Sequence, residues 1–172
     1  MAGSEKLDRF EDAVLPHLDA AYNLARWLMR DDNEAQDAVQ DAYLRALRFF
    51  GGFRGGDGRV WLLSIVRNTC FTRMRTGRAR QGDTEFDDQM HGTEDAAANP
   101  EKLLLRSQDA AALRRALDSL PPEFREVIVM RELEDMSYKE IADVADLPIG
   151  TVMSRLARAR KRLAQSLTGG ES

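Results

Sequence analysis

The 172-residue sequence predicts an all-α fold: two small helical domains joined by a flexible acidic linker. Three observations predict it. No stretch sustains the period-two alternation of a strand, whereas apolar residues recur at three- and four-residue steps over helix-length segments. These segments fall into two groups, one on each side of Gly82 to Asn99. That interval holds six acids (Asp83, Glu85, Asp87, Asp88, Glu94, Asp95), no Lys or Arg, and no helical apolar stripe, a composition suited to a tether. The expected boundaries are 7–80 for the first domain, 81–99 for the linker and 100–168 for the second domain.

Within the first domain a helix is expected from about Leu7 to Arg30, with Phe10, Val14, Leu18, Ala21, Leu24, Ala25 and Leu28 on its apolar side. Pro16 is expected to kink it or shift its start. Asp31-Asp32-Asn33 supplies cap and turn chemistry. A second helix, about Glu34 to Phe50, is expected to bury Ala35, Ala38, Val39, Ala42, Tyr43, Ala46 and Leu47. A glycine-rich loop, Gly51 to Gly58, precedes a third helix over roughly Arg59 to Arg78, whose apolar start holds Val60, Trp61, Leu62, Leu63, Ile65 and Val66. Trp61 is expected to be core.

The second domain opens at Asn99-Pro100-Glu101, which places a cap, a first-turn proline and an acid in order. That helix reaches Leu120 and stops at Pro121-Pro122. Another spans Glu123 to Leu133, with Phe124, Val127, Ile128 and Met130 apolar. Then Ser137-Tyr138-Lys139-Glu140 has the capping-box form, and Ile141, Ala142, Val144 and Ala145 give a short helix its inner face. Asp146-Leu147-Pro148 breaks the pattern, because the residue before a proline is pushed out of the helical region. A last helix follows, with Val152, Leu156, Ala159 and Leu163 at helical spacing.

Composition narrows the function classes. Charged residues are 31% and hydrophobic ones 43% of the chain, as in a soluble helical protein. The richest apolar run, Val60 to Val66, is far too short to span a bilayer. An N-terminus carrying Glu5, Asp8, Glu11 and Asp12 does not resemble a signal peptide. A cytoplasmic protein without membrane insertion is therefore expected. The single cysteine, Cys70, excludes an internal disulfide and reads as a small buried residue rather than a reactive thiol. The net charge of -4 does not exclude a nucleic-acid partner, since the charge is unevenly distributed. Gly58 to Gln81 holds six arginines and no acid, and no acid occurs from Pro148 to Gly170.

Three constellations carry candidate chemistry. The last helix sets Thr151, Ser154, Arg155, Arg158 and Arg162 opposite its apolar side, offering hydroxyls and guanidinium groups to duplex DNA; a solvated basic face is the ordinary alternative. On the second helix Asp37, Gln40, Asp41, Leu44 and Arg48 form one stripe. An exposed leucine among acids and an amide suits protein binding, though an unremarkable solvated side would look the same. The third constellation joins Phe53 and Arg54, on a loop with five glycines, to Ser64, Asn68, Phe71 and Arg75 along one helix face, flanked by Arg67 and Arg78. Rings, amides and guanidinium groups beside a flexible loop suit unpaired nucleic acid.

No enzyme is expected. Only His17 and His91 are present, no metal-ligand spacing occurs, and the loop glycines follow a helix rather than the strand of a nucleotide-binding fingerprint. No catalytic residue, metal or cofactor is assigned. A plain regulator binding duplex DNA through its helix-turn-helix remains the main alternative, although it has no use for a loop and helix built for unpaired bases.

Taken together, the motifs resemble those of a bacterial sigma factor of the extracytoplasmic-function (ECF), or group IV, class. The resembling stretches are Asp37 to Leu47, Phe53-Arg54-Gly55, Trp61 to Asn68, Leu120 to Val127 and Ser137 to Arg160. The resemblance implies that the first domain is similar to sigma region 2 and the second to the helix-turn-helix of sigma region 4. By it, Asp37, Gln40, Asp41, Leu44 and Arg48 bind core RNA polymerase at the clamp helices of its largest subunit, with the flap region a further contact. Phe53, Arg54, Ser64, Arg67, Asn68, Phe71 and Arg75 capture the melted minus-ten element. Thr151, Ser154, Arg155, Arg158 and Arg162 read the minus-thirty-five element of promoter DNA. The resemblance also implies an anti-sigma factor as partner, and a linker threaded through polymerase channels. Two features depart from the family pattern: the density of glycines around Phe53, and Met153 where a polar residue is common.

Overall fold

The computed structural model describes residues 2–81 and 110–169. Every regular element among them is helical, and the chain divides into two compact units. Apart from Gln81, the linker expected over 81–99 lies outside the described residues, as does the helix start expected at Asn99 to Glu101.

The N-terminal unit comprises α1 (Ala2–Val14), α2 (Leu18–Met29), α3 (Asp32–Phe49) and α4 (Gly58–Gln81). The single helix expected over Leu7 to Arg30 is two helices. They are separated by a 3-10 turn, Leu15–His17, that contains Pro16. Proline has no N–H for the helical ladder and its ring collides with the preceding turn, so the chain breaks there. Helix α2 ends at Arg30, which takes the left-handed conformation (φ 61°) and donates its N–H to the Arg26 carbonyl at 2.9 Å. Asp31 then caps α3 by accepting from the Glu34 N–H at 2.9 Å.

Helix α3 buries Ala35, Ala38, Ala42 and Ala46. Small side chains on that stripe let α2 and α4 approach it closely, and the three helices pack on one another. Leu47, expected in the core, is exposed instead. It lies a quarter turn beyond Ala46, on the side of Leu44. The core is closed by Phe10 and Val14 of α1, Leu24 and Leu28 of α2, and Leu62, Leu63, Val66 and Cys70 of α4.

The C-terminal unit comprises α5 (Ala110–Asp118), α6 (Pro122–Ile128), α7 (Tyr138–Ala145) and α8 (Ile149–Gly169). Pro122 starts α6, where a missing N–H costs nothing. The helix expected to continue to Leu133 widens over Val129–Leu133 into a π-helical turn, and the Glu134 N–H reaches the Val129 carbonyl at 3.1 Å. Arg125 is buried. Its Nη1 donates to the Leu120 carbonyl at 2.6 Å and to the Asp118 carbonyl at 3.3 Å, satisfying groups that a helix end leaves open. Helices α5 and α6 both pack against α8.

Candidate functional site

The helix-turn-helix is built as its capping pattern predicts. The Ser137 N–H donates to Glu140 Oε1 at 2.9 Å, and the Glu140 N–H donates to Ser137 Oγ at 3.1 Å. This reciprocal pair satisfies two backbone donors at the start of α7. The turn is made by Asp146 in the left-handed region (φ 56°), after which the Leu147 N–H returns to the Ala142 carbonyl at 3.0 Å. The Pro148 carbonyl then accepts from Thr151 and Val152, at 3.0 and 3.2 Å, and launches α8.

Helix α8 buries Val152, Leu156, Ala159 and Leu163, the residues that its spacing places inside. Arg155 lies on that side too, with 9% of its surface exposed. Arg162 sets its guanidinium 4.8 Å from the centre of the Phe124 ring, a cation–π contact, and Arg160 pairs with Glu132 at 3.1 Å. At 3.6 residues per turn, the stripe facing away from the buried side is Gly150, Met153, Ser154, Ala157, Arg158 and Lys161, none of them buried. Of the five residues expected to face DNA, Ser154 and Arg158 are on this stripe and Thr151 is half-buried on its flank. Ser154 Oγ donates to the Thr151 carbonyl at 3.2 Å and keeps its lone pairs for an incoming donor. Met153, Ala157 and Lys161 share this stripe, although Met153 and Ala157 are not polar and so escape a count of polar residues. Ala157 and Lys161 lie about half a turn from Ala159, and Met153 lies about a quarter turn from Val152.

On α3, Asp37, Gln40, Leu44 and Arg48 are exposed, and Leu44 shows 56% of its surface. Asp41 is half-buried between two guanidinium groups: Arg45 Nε at 3.5 Å, and Arg73 Nη1 of α4 at 4.0 Å. Arg73 also reaches Glu34 at 3.6 Å. Exposed Leu47 extends the apolar part of this face beyond Leu44, and Phe49, 61% accessible, stands exposed at the end of the helix. Arg48 sits 5.7 Å over the Phe49 ring.

The loop before α4 is held by an aromatic cluster. Phe53 is half-buried rather than free. Its ring stacks on Phe50 (5.6 Å between centroids, 22° between planes) and tilts against Trp61 at 5.0 Å. Phe50 meets Phe10 edge-on at 5.3 Å, which ties the loop to the core. Trp61 is thus half-buried beside Phe53 instead of deep in the interior. By its spacing Phe50 is the end of a helix, and nothing local in the sequence signals its part in the cluster. Gly55 and Gly56 carry φ of 85° and 87°, values that side-chain-bearing residues rarely adopt. Asp57 Oδ1 then accepts from the Arg59 and Val60 N–H groups at 2.9 and 3.3 Å and caps α4.

Along α4, Asn68 and Arg75 are exposed, and Ser64, Arg67 and Phe71 are half-buried. Arg67 lies 4.0 Å over the Phe71 ring and donates to Asn68 Oδ1 at 3.4 Å. Ser64 Oγ donates to the Trp61 carbonyl at 2.7 Å. Arg54 is exposed on the loop. The fold therefore brings Phe53, Trp61 and Phe50 together, and ranks Ser64, Asn68, Phe71 and Arg75 along one helix line. Among the described residues no group of three or more His, Cys, Asp or Glu is placed to hold a metal ion, and no helix is long and apolar enough to cross a membrane.

Comparison with known proteins matches both units. Residues 13–80 match the Sigma-70 region 2 family and residues 110–163 the Sigma-70 region 4 family. The chain is 35% identical over 159 residues to the ECF RNA polymerase sigma factor SigE of Mycolicibacterium smegmatis, covering 92% of this chain and 61% of that relative. It is 33% identical over 167 residues to the RNA polymerase sigma-H factor of Pseudomonas aeruginosa, covering 92% and 86% of the two chains. Identity to the ECF RNA polymerase sigma-E factor of Escherichia coli is 34% over 137 residues, covering 76% and 72%. Among solved structures, the fold is similar to the sigma factor RpoE of Bartonella quintana in complex with the anti-sigma factor NepR (TM-score 0.72, 28% identity, 93% and 97% covered). It is also similar to CnrH in complex with the cytosolic domain of CnrY (TM-score 0.63, 26% identity, 95% and 89% covered).

Proposed function

The chain belongs to the ECF RNA polymerase sigma factors, which direct promoter-specific transcription initiation, and from this premise we propose how its residues divide the task. Residues 7–80 bind core polymerase and open the minus-ten element; 100–168 read the minus-thirty-five element; 81–99 join them. The α3 stripe of Asp37, Gln40, Asp41, Leu44 and Arg48 docks on the clamp helices of the largest subunit, its leucine supplying apolar contact and its carboxylates setting orientation. The flap region is a further contact. Phe53, Arg54, Ser64, Arg67, Asn68, Phe71 and Arg75 hold the melted strand, where stacking and edge hydrogen bonds offset the few kcal/mol that flipping a base costs.

The observation that carries this reading is the outward stripe of α8. It follows a capped helix and a tight turn, it offers Ser154, Arg158 and Lys161, and the whole helix from Ile149 to Gly169 contains no acid. That geometry fits a major groove, with the N-terminal residues of the helix nearest the base edges. The RpoE and CnrH structures each hold a partner, NepR and CnrY; by analogy an anti-sigma protein covers the exposed α3 face of this chain. The site of action is the cytoplasm. No residue is assigned a catalytic role.

The test is run-off transcription on promoter-bearing genomic fragments with purified core polymerase, with and without the protein. New transcripts that need the protein support the reading. Tight duplex binding by the protein alone, without new transcripts, favours a plain regulator and overturns it.

A further inference from the structure

Met153 is the most exposed large apolar side chain of α8, with 51% of its surface accessible. It stands in the first turn and a half of the helix, between Val152, which is buried, and Ser154, which shares its outward stripe. The ordinary solvated helix would place a polar residue there. In a recognition helix the same position is different, because the first turns approach the base edges of the major groove. A thioether side chain has no useful hydrogen bond to offer a base edge. It matches one feature of the groove, the 5-methyl group of thymine, which apolar side chains read by contact.

The neighbours on the stripe fit this use. Ser154 brings a hydroxyl beside the thioether, Ala157 leaves room one turn on, and Arg158 and Lys161 supply positive charge toward the phosphates. We propose that Met153 is a specificity-determining residue that packs on a thymine 5-methyl group in the upstream promoter element. The proposal rests on the assignment of α8 as a duplex-reading helix. It goes further by naming the base and the atom recognised.

The test uses holoenzyme made from the full chain and core polymerase. A randomised upstream element is first selected for binding, and each thymine in it is then replaced singly by deoxyuridine, which lacks only the methyl group. At one position, wild-type holoenzyme should bind the deoxyuridine duplex about fourfold more weakly, the factor that burying one methyl-sized group is worth. Met153→Ala should bind both duplexes equally, and Met153→Arg should shift the selected base at that position toward guanine. Exposed Met153 carries little of the fold, so equal melting temperatures for wild type and variants are expected.

Equal binding of thymine and deoxyuridine duplexes at every position overturns the proposal, as does a selected element without thymine. If Arg158→Ala still weakens duplex binding in that case, the recognition-helix assignment survives alone. If neither change affects binding, both fail.

Discussion

Gly58 lies directly against the backbone of Ala13, so that a Cβ at Gly58 would collide with the Ala13 carbonyl oxygen. The contact joins the first residue of α4 to the last turn of α1, and neither partner is a flexible side chain that could swing aside. Gly58→Ala is therefore expected to destabilise the N-terminal unit by about 1–3 kcal/mol, the usual range for overpacking. Chemical denaturation followed by circular dichroism would register the loss. By contrast, Gly51→Ala, whose Cβ meets open space, should leave the midpoint unmoved.

Arg155 and Arg158 should separate cleanly. Arg158 is on the outward stripe of α8, and Arg158→Ala should weaken duplex binding while reducing the slope of log affinity against log salt by about 0.9, one phosphate contact. Arg155 is buried, and Arg155→Ala should act on stability, costing about 1–3 kcal/mol through the packing of its long stem, the usual range for a substitution at a buried position. Anisotropy titrations over a salt series and parallel melting curves give both readouts. A loss of affinity in Arg155→Ala with unchanged stability would show that its guanidinium does reach DNA.

Asp41→Arg should abolish tight binding to core polymerase. The aspartate is held by Arg45 and Arg73, pairs exposed enough to contribute less than about 1 kcal/mol to stability. The variant should thus remain folded while its affinity for core enzyme falls at least tenfold. Pull-down with core polymerase, alongside a thermal melt, would decide it; normal affinity would rule out the α3 stripe.

Ser137→Ala removes one half of a reciprocal cap and should cost about 1 kcal/mol. Glu140→Gln, which keeps an acceptor for the Ser137 N–H, should cost less. Hydrogen exchange at the start of α7 would locate the effect.

Much of this architecture was legible because it is written in local chemistry. The Ser137 to Glu140 spacing specifies a cap that needs nothing beyond four residues, and Val152, Leu156, Ala159 and Leu163 reveal the buried side of α8 by period alone. What escaped depends on contacts between segments distant in sequence. The ring of Phe50 is tied to the core by Phe10, forty residues earlier in the chain. Whether Leu47 or Ala46 faces inward is decided by where α2 and α4 pack, not by α3. Arg155 shows the limit of reading polarity as exposure: a long guanidinium side chain can lie on the inner flank of a helix, its aliphatic stem packed among apolar neighbours. Pro16 marks a disturbance in the sequence without saying whether it kinks or breaks the helix; the structure shows a break, the 3-10 turn Leu15–His17.

Under the proposed role of Phe53 at the minus-ten element, its stack on Phe50 gives selection there a particular form. A ring already seated beside a covalently tethered neighbour meets every incoming base as a competitor, and a tethered competitor is present at an effective concentration that a free one does not reach. On that proposal, bases that stack weakly would be turned away before any hydrogen bond is tried. Discrimination would be set by a difference between two stacking partners, so that the loop would act as a threshold rather than a trap. Lowering that threshold, by trimming Phe50 to leucine, should admit more promoters and sort them less well.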